Sequence, residues 1–293
     1  MIEQVIGIVF PVFAIVLIGS VYGRKFRPDL AAVNRINLDV FVPALIFSVL
    51  SGKPYSLADF QWLLLGACFV VLFSGVLAYP FAKLFGWQTK TVIPPVMFTN
   101  YGNMGLPLAL FAFGEQALPA AVLLFIMGNT LHFTLGIKML DRRASVWQIF
   151  TMPMLLATIA GIGVSLFDIS VPDALWRPID MIGQIAIPFM LFALGVRLLE
   201  IDFQAWRIGL AVALITPATG LVLALSFLAV FELPPQQHSL LILFGALPPA
   251  VLNFMVAEKY NQEPSVVASI VMLGNLASVL VIPAVLYFIL PHA

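Results

Sequence analysis

The chain reads as an all-α polytopic membrane protein of ten transmembrane helices, built as two five-helix halves of opposite orientation. Three observations lead to this fold class. Of the 293 residues 62% are hydrophobic and 10% charged, against roughly 45–50% and about 25% in ordinary soluble domains. Apolar runs of crossing length, roughly 20 residues each, follow one another from end to end. Lysine and arginine, finally, gather in alternate connections. Residues 1–293 therefore form a single membrane domain with no room for a soluble catalytic one.

Apolar runs read against Gly, Pro and charge punctuation place the first-half spans at 2–22, 34–51, 60–82, 90–113 and 116–138. The first carries Glu3 instead of a basic n-region and has no small-residue cleavage signal, so it is a retained helix and not a signal peptide. The second-half spans fall at 146–167, 178–197, 204–230, 237–257 and 264–290. The odd connections hold Arg24, Lys25, Arg27, Arg35, Lys83, Lys90, Lys138, Arg142, Arg143, Arg197, Arg207 and Lys259; the even ones hold only Lys53 and Arg177. Because Lys and Arg stay on the cytoplasmic side, both termini are expected on the non-cytoplasmic face of the inner (plasma) membrane. The five tryptophans, among them Trp62 and Trp206, fall near span ends, as an interfacial belt requires.

The halves echo each other: about 1–140 forms the first repeat and about 146–293 the second. Pro11 answers to Pro153, Phe60-Gln61 to Phe203-Gln204, Pro43 to Pro188, and Gly128-Asn129 to Gly274-Asn275, at offsets of 142, 143, 145 and 146. Five spans per half is an odd number, so the second half inserts upside down. Inverted repeats are the sequence mark of alternating-access carriers.

The fourth and ninth spans are interrupted. The fourth holds Thr99, Asn100, Gly102, Asn103, Gly105 and Pro107; the ninth holds Pro248, Pro249 and Asn253. Proline removes a backbone donor, and in hydrocarbon each freed peptide group costs several kcal/mol unless protein or trapped water satisfies it. Such breaks must line a protected cavity. Pro248 falls opposite Gly102 at the repeat offset, so the breaks are expected to cross near the midplane. Half-helix N-termini then suit an anion, while C-termini and bare carbonyls suit a cation. The expected activity is secondary transport of a small organic anion, most simply a carboxylate. A membrane sensor, a channel or a sodium-coupled symporter on the same scaffold are the alternatives.

Asn129 and Asn275 are candidate donors to the solute, or else interhelical glue. His132 could carry a coupling proton or be a neutral core histidine. Asp39 is a second proton candidate, with Gln184 as its repeat counterpart, against a solvated helix-end role. Arg197 and Lys138 read as snorkelling anchors. Cys68 is the only cysteine, so internal disulfides are excluded and neither a metal site nor a cofactor is expected. Zero formal net charge without a long basic run argues against a nucleic-acid partner. No H-E-x-x-H, G-x-S-x-G or paired aspartates within a span point to an enzyme.

The run N-Y-G-N-M-G-L-P at 100–107, followed by F-G-E-Q-A-L at 113–118, resembles the fourth-helix signature of the auxin efflux carrier family, whose bacterial members are associated with malonate and other carboxylates. The resemblance implies a scaffold shared with sodium/proton antiporters and bile-acid symporters, elevator-type movement and a homodimer. It assigns the crossover to Asn100, Gly102, Gly105, Pro107, Pro248 and Pro249. The chain departs from the plant members in lacking a long central hydrophilic loop. It also has no acidic residue between Phe60 and Tyr79.

Overall fold

A computed structural model describes residues 1–52, 57–145, 147–199 and 205–290. Lys53 and the Phe203-Gln204 echo lie outside the described residues. Within them the chain is helical. Its elements are α1 (Ile2–Phe26), α2 (Ala31–Ser51), α3 (Ala58–Leu84), α4a (Thr89–Met97), α4b (Leu106–Phe113), α5 (Glu115–Leu140), α6 (Pro153–Leu166), α7 (Asp173–Arg197), α8 (Trp206–Leu228), α9a (Pro235–Gly245), α9b (Leu252–Lys259) and α10 (Pro264–Ile289).

Seven of these, namely α1, α2, α3, α5, α7, α8 and α10, are long and apolar enough to cross a bilayer without interruption. The other apolar segments fall short for visible reasons. The sixth span begins only at Pro153, whose fixed φ suits the first turn of a helix, after a 3₁₀ turn at Trp147–Thr151. The fourth and ninth are broken in the middle. Large apolar side chains point outward all round the molecule, with Phe10, Leu84, Leu280 and Phe288 more than two-thirds exposed. In water such a surface would be an aggregation liability; in lipid it is the natural exterior.

The helices pack in two groups. In one, α1 runs along α7 and α6 along α2. Gly19 and Gly195 lie so close to the Phe192 and Val16 carbonyls that an added Cβ at either would overlap them, which is how small residues let membrane helices approach. The Ser20 hydroxyl donates to the Gly195 carbonyl at 2.9 Å across the same seam. In the other group α3 packs on α4a and α8, and α8 on α9a and α10. The polar turns beside the two broken spans are tied together: Thr91 Oγ1 donates to Glu263 Oε2 at 2.5 Å, and Gln262 Nε2 to Gln88 Oε1 at 2.9 Å.

Candidate functional site

The fourth span stops where its chemistry dictates. Pro94 and Pro95 sit in α4a, the chain turns extended at Phe98, and a π-helical turn at Tyr101–Gly105 leads into α-helix at Leu106 with Pro107 in its first turn. In the ninth span, Pro248 and Pro249 cannot donate to the carbonyls a turn earlier, so α9a ends at Gly245 and α9b starts at Leu252. The two breaks then satisfy each other. The Asn100 N–H donates to the Pro248 carbonyl at 2.8 Å, and the Ala250 N–H donates to the Phe98 carbonyl at 3.0 Å. Thr99 and Pro249 thus face one another as a minimal antiparallel ladder, the only such pairing among the described residues.

Amide side chains complete this crossover. Asn253 Nδ2 donates to the Phe98 and Ala250 carbonyls at 2.8 and 3.0 Å. Asn275 Nδ2 reaches the Pro249 and Val271 carbonyls at 3.0 and 2.7 Å, and its Oδ1 accepts from Asn100 Nδ2 at 3.2 Å. Asn100 Oδ1 in turn accepts the Asn103 N–H at 3.2 Å. The Gly-Asn echo acquires a physical meaning here. Gly128 lets the Tyr101 ring approach α5, and Gly274 lets the Pro249 ring approach α10, with no space for a Cβ at either.

Beside the crossover lies a cavity of about 820 Å³. Its polar pole is formed by Thr99, Asn100, Gly102, Asn103, Asn129 and His132, and its flanks are mostly apolar, with Met97, Phe125 and Val271 among them. Asn129 Nδ2 donates only to the Phe125 carbonyl of its own helix, at 2.8 Å, and the Asn103 amide has no side-chain partner among the described residues. The His132 ring stacks on Phe98 at 4.4 Å with an interplanar angle of 8°. The exposed and half-buried members of the lining, Pro28, Asp29, Arg35, Asp39, Met152, Arg197 and Glu258, mark its mouth. These belong to, or adjoin, odd connections only.

The structure therefore divides the sequence candidates. Thr99, Asn100, Gly102, Asn103, Asn129 and His132 meet at the cavity pole. Gly105, Pro107, Pro248, Pro249, Asn253 and Asn275 are buried and outside the cavity lining, where they shape or tie the crossover. Asp39 stands apart at the mouth, 3.5 Å from Arg35 one helical turn away, both side chains substantially exposed. Gln184 donates to Asp180 at 2.8 Å on the surface. Arg197, read as an anchor, lies at the mouth beside Met255 Sδ, 3.3 Å away.

Sequence reasoning missed three π-helical turns, Asn37–Phe41, Tyr101–Gly105 and His132–Gly136, each of which contributes residues to the cavity lining. Such bulges gather at functional sites. The one at 132–136 is marked only by Gly136, where a Cβ would crowd both His132 and Phe98.

An apolar multi-helix body with two mutually paired helix breaks beside a polar-ended cavity defines a membrane transporter. The comparisons agree. The family model described as "Membrane transport protein" matches residues 4–149 and again 142–286, so the chain belongs to that family, and the resemblance to the auxin efflux carriers holds. It is 28% identical to a protein of Rhizobium meliloti (strain 1021) named "Putative malonate transporter", covering 98% of this chain and 96% of that one. It is also similar to two proteins named as uncharacterized transporters. One, from Methanocaldococcus jannaschii, is 22% identical over 94% of this chain and 96% of its own; the other, from Methanothermobacter thermautotrophicus, is 26% identical over 94% and 95%. This is a family of transporters and not of enzymes.

Proposed function

We propose that the protein is a secondary carrier that moves a small carboxylate across the inner membrane by alternating access. The observation that carries this reading is the reciprocal ladder between the two broken helices, set beside the polar pole of a cavity. Seven uninterrupted helices, the short sixth and the two broken ones together make the ten crossings of an inverted five-plus-five repeat. The matched Gly-Asn approaches to the two breaks support that symmetry.

The solute binds at the pole, where Asn103 offers an amide without a side-chain partner and Asn129 the second N–H of its amide, while Arg35 and Arg197 belong to the more exposed part of the lining. The cavity mouth coincides with the Lys- and Arg-rich connections, so by the positive-inside rule this conformation faces the cytoplasm with both termini outside. Alternating access follows if the group containing α3–α5 and α8–α10 slides as a unit against the group containing α1, α2, α6 and α7, in the elevator manner. The name of the Rhizobium relative makes malonate the first probe.

Counterflow in proteoliposomes tests the reading. Labelled malonate, and propionate in parallel, should accumulate transiently in vesicles preloaded with the unlabelled acid, and the rate should collapse when Asn103 and Asn129 are both replaced by Ala. Saturable binding of either acid without any counterflow would make the protein a sensor. Flux that never saturates would make it a channel.

A further inference from the structure

The two proton candidates occupy different worlds. Asp39 is paired and half exposed at the cavity mouth, where Asp29, Arg35, Arg197 and Glu258 also lie. His132 is 96% buried, lines the pole of the cavity, and has no hydrogen-bond partner among the described residues. Its ring is held flat on Phe98, whose carbonyl is bonded into the crossover. A π-helical turn and Gly136 make the space for it. The chain thus builds a seat for an imidazole and leaves its nitrogens unclaimed.

Asn129 and His132 stand three residues apart on α5, so they are neighbours on one helix face with Cβ atoms roughly 5–6 Å apart. That is the separation at which two carboxylates of one short acid can be met at once. One carboxylate is accommodated by the neutral amides of Asn103 and Asn129. A second negative charge in the same low-dielectric pole needs a compensating positive one. Around α5 pack α2, α3, α4 and α6. The titratable groups these bring towards the pole are Tyr101 and Cys68, neutral at neutral pH, and the distant Asp39–Arg35 pair; α6 has none, and Lys138 of α5 itself lies at its far end. Arg35 and Arg197 also line the cavity, among its more exposed residues; beside Asn129 on α5 itself, the group able to become positive is His132.

Resting on the carboxylate reading above, we propose that the solute is a dicarboxylate and that His132 is its specificity-determining residue, its free imidazole nitrogen taking up one proton from bulk solvent by way of the cavity as the dianion binds. The proton then accompanies the solute, so movement of the dianion is linked to movement of one proton in the same direction.

Calorimetry on the purified full-length protein, at neutral pH in two buffers of different ionisation enthalpy, counts that proton. Malonate should bind with uptake of about one proton and propionate with almost none, by linkage. In His132→Gln and His132→Asn the uptake should disappear and the malonate-to-propionate affinity ratio should fall about tenfold or more. Wild-type malonate binding without uptake overturns the proposal, whatever the variants do. So does uptake that persists in a folded His132 variant, or binding of propionate with exclusion of malonate. If neither acid binds the wild type, the carboxylate reading fails first and this inference with it.

Discussion

Gly274→Ala should disable the site without touching the cavity. A Cβ at this position would lie 2.5 Å from Pro249 Cδ, whereas carbon atoms rest at about 3.5–4.0 Å. The two elements must therefore separate by about 1 Å. A proline ring in a paired backbone segment cannot rotate out of the way. The same displacement stretches the bond from Asn275 Nδ2 to the Pro249 carbonyl from 3.0 Å beyond hydrogen-bonding range. Overpacking of this size costs about 1–3 kcal/mol, and at about 1.4 kcal/mol per decade that is roughly a 5- to 150-fold weakening if it is expressed at the crossover. Equilibrium binding of labelled malonate, with the melting temperature as a check on folding, reads it. Gly128→Ala meets the Tyr101 ring instead of a proline, a side chain that can turn, and should lose less. A folded Gly274→Ala protein with wild-type affinity and counterflow would refute the idea that the crossover sets the site.

Other substitutions separate tying from binding. Asn275→Leu strands the Pro249 carbonyl and Asn100 Nδ2, so it should destabilise by about 1–3 kcal/mol, measurable as faster thermal inactivation in detergent. Asn103→Ala removes an amide without a side-chain partner and should leave the melting temperature unchanged while weakening solute binding about tenfold, the scale of one lost hydrogen bond to a charged group. In a Cys68→Ser background, Met255→Cys should react with an impermeant thiol reagent in inside-out vesicles and be protected in right-side-out ones; the reverse pattern would invert the assigned orientation.

The breaks were legible because proline and glycine act on the backbone directly: Pro107, Pro248 and Pro249 mark them in any environment. The burial of Asn253 and Asn275 away from the cavity was not legible, because an amide in a helix can face either a solute or a bare carbonyl, and the difference is decided by where the neighbouring prolines leave carbonyls orphaned. The π-helical turns escaped for a related reason. Asn37–Phe41 contains neither proline nor glycine, and its extra residue per turn is imposed by packing round the cavity. Residues at the mouth, such as Arg197, were visible as charged span ends, but which ends converge is a property of the tertiary fold alone.

The ladder between Phe98–Asn100 and Pro248–Ala250 has a consequence for how the chain can be divided. Each half supplies the partner groups for the other's severed backbone, so either alone would present unmatched donors and acceptors to oil at several kcal/mol apiece. Peptide continuity through residues 141–145 contributes nothing to that clasp. Two polypeptides cut there and made together should dock into a working transporter, whereas each made singly should be cleared from the membrane. A lone half that persisted as a well-folded monomer would mean that its torn helix had found some other way to heal.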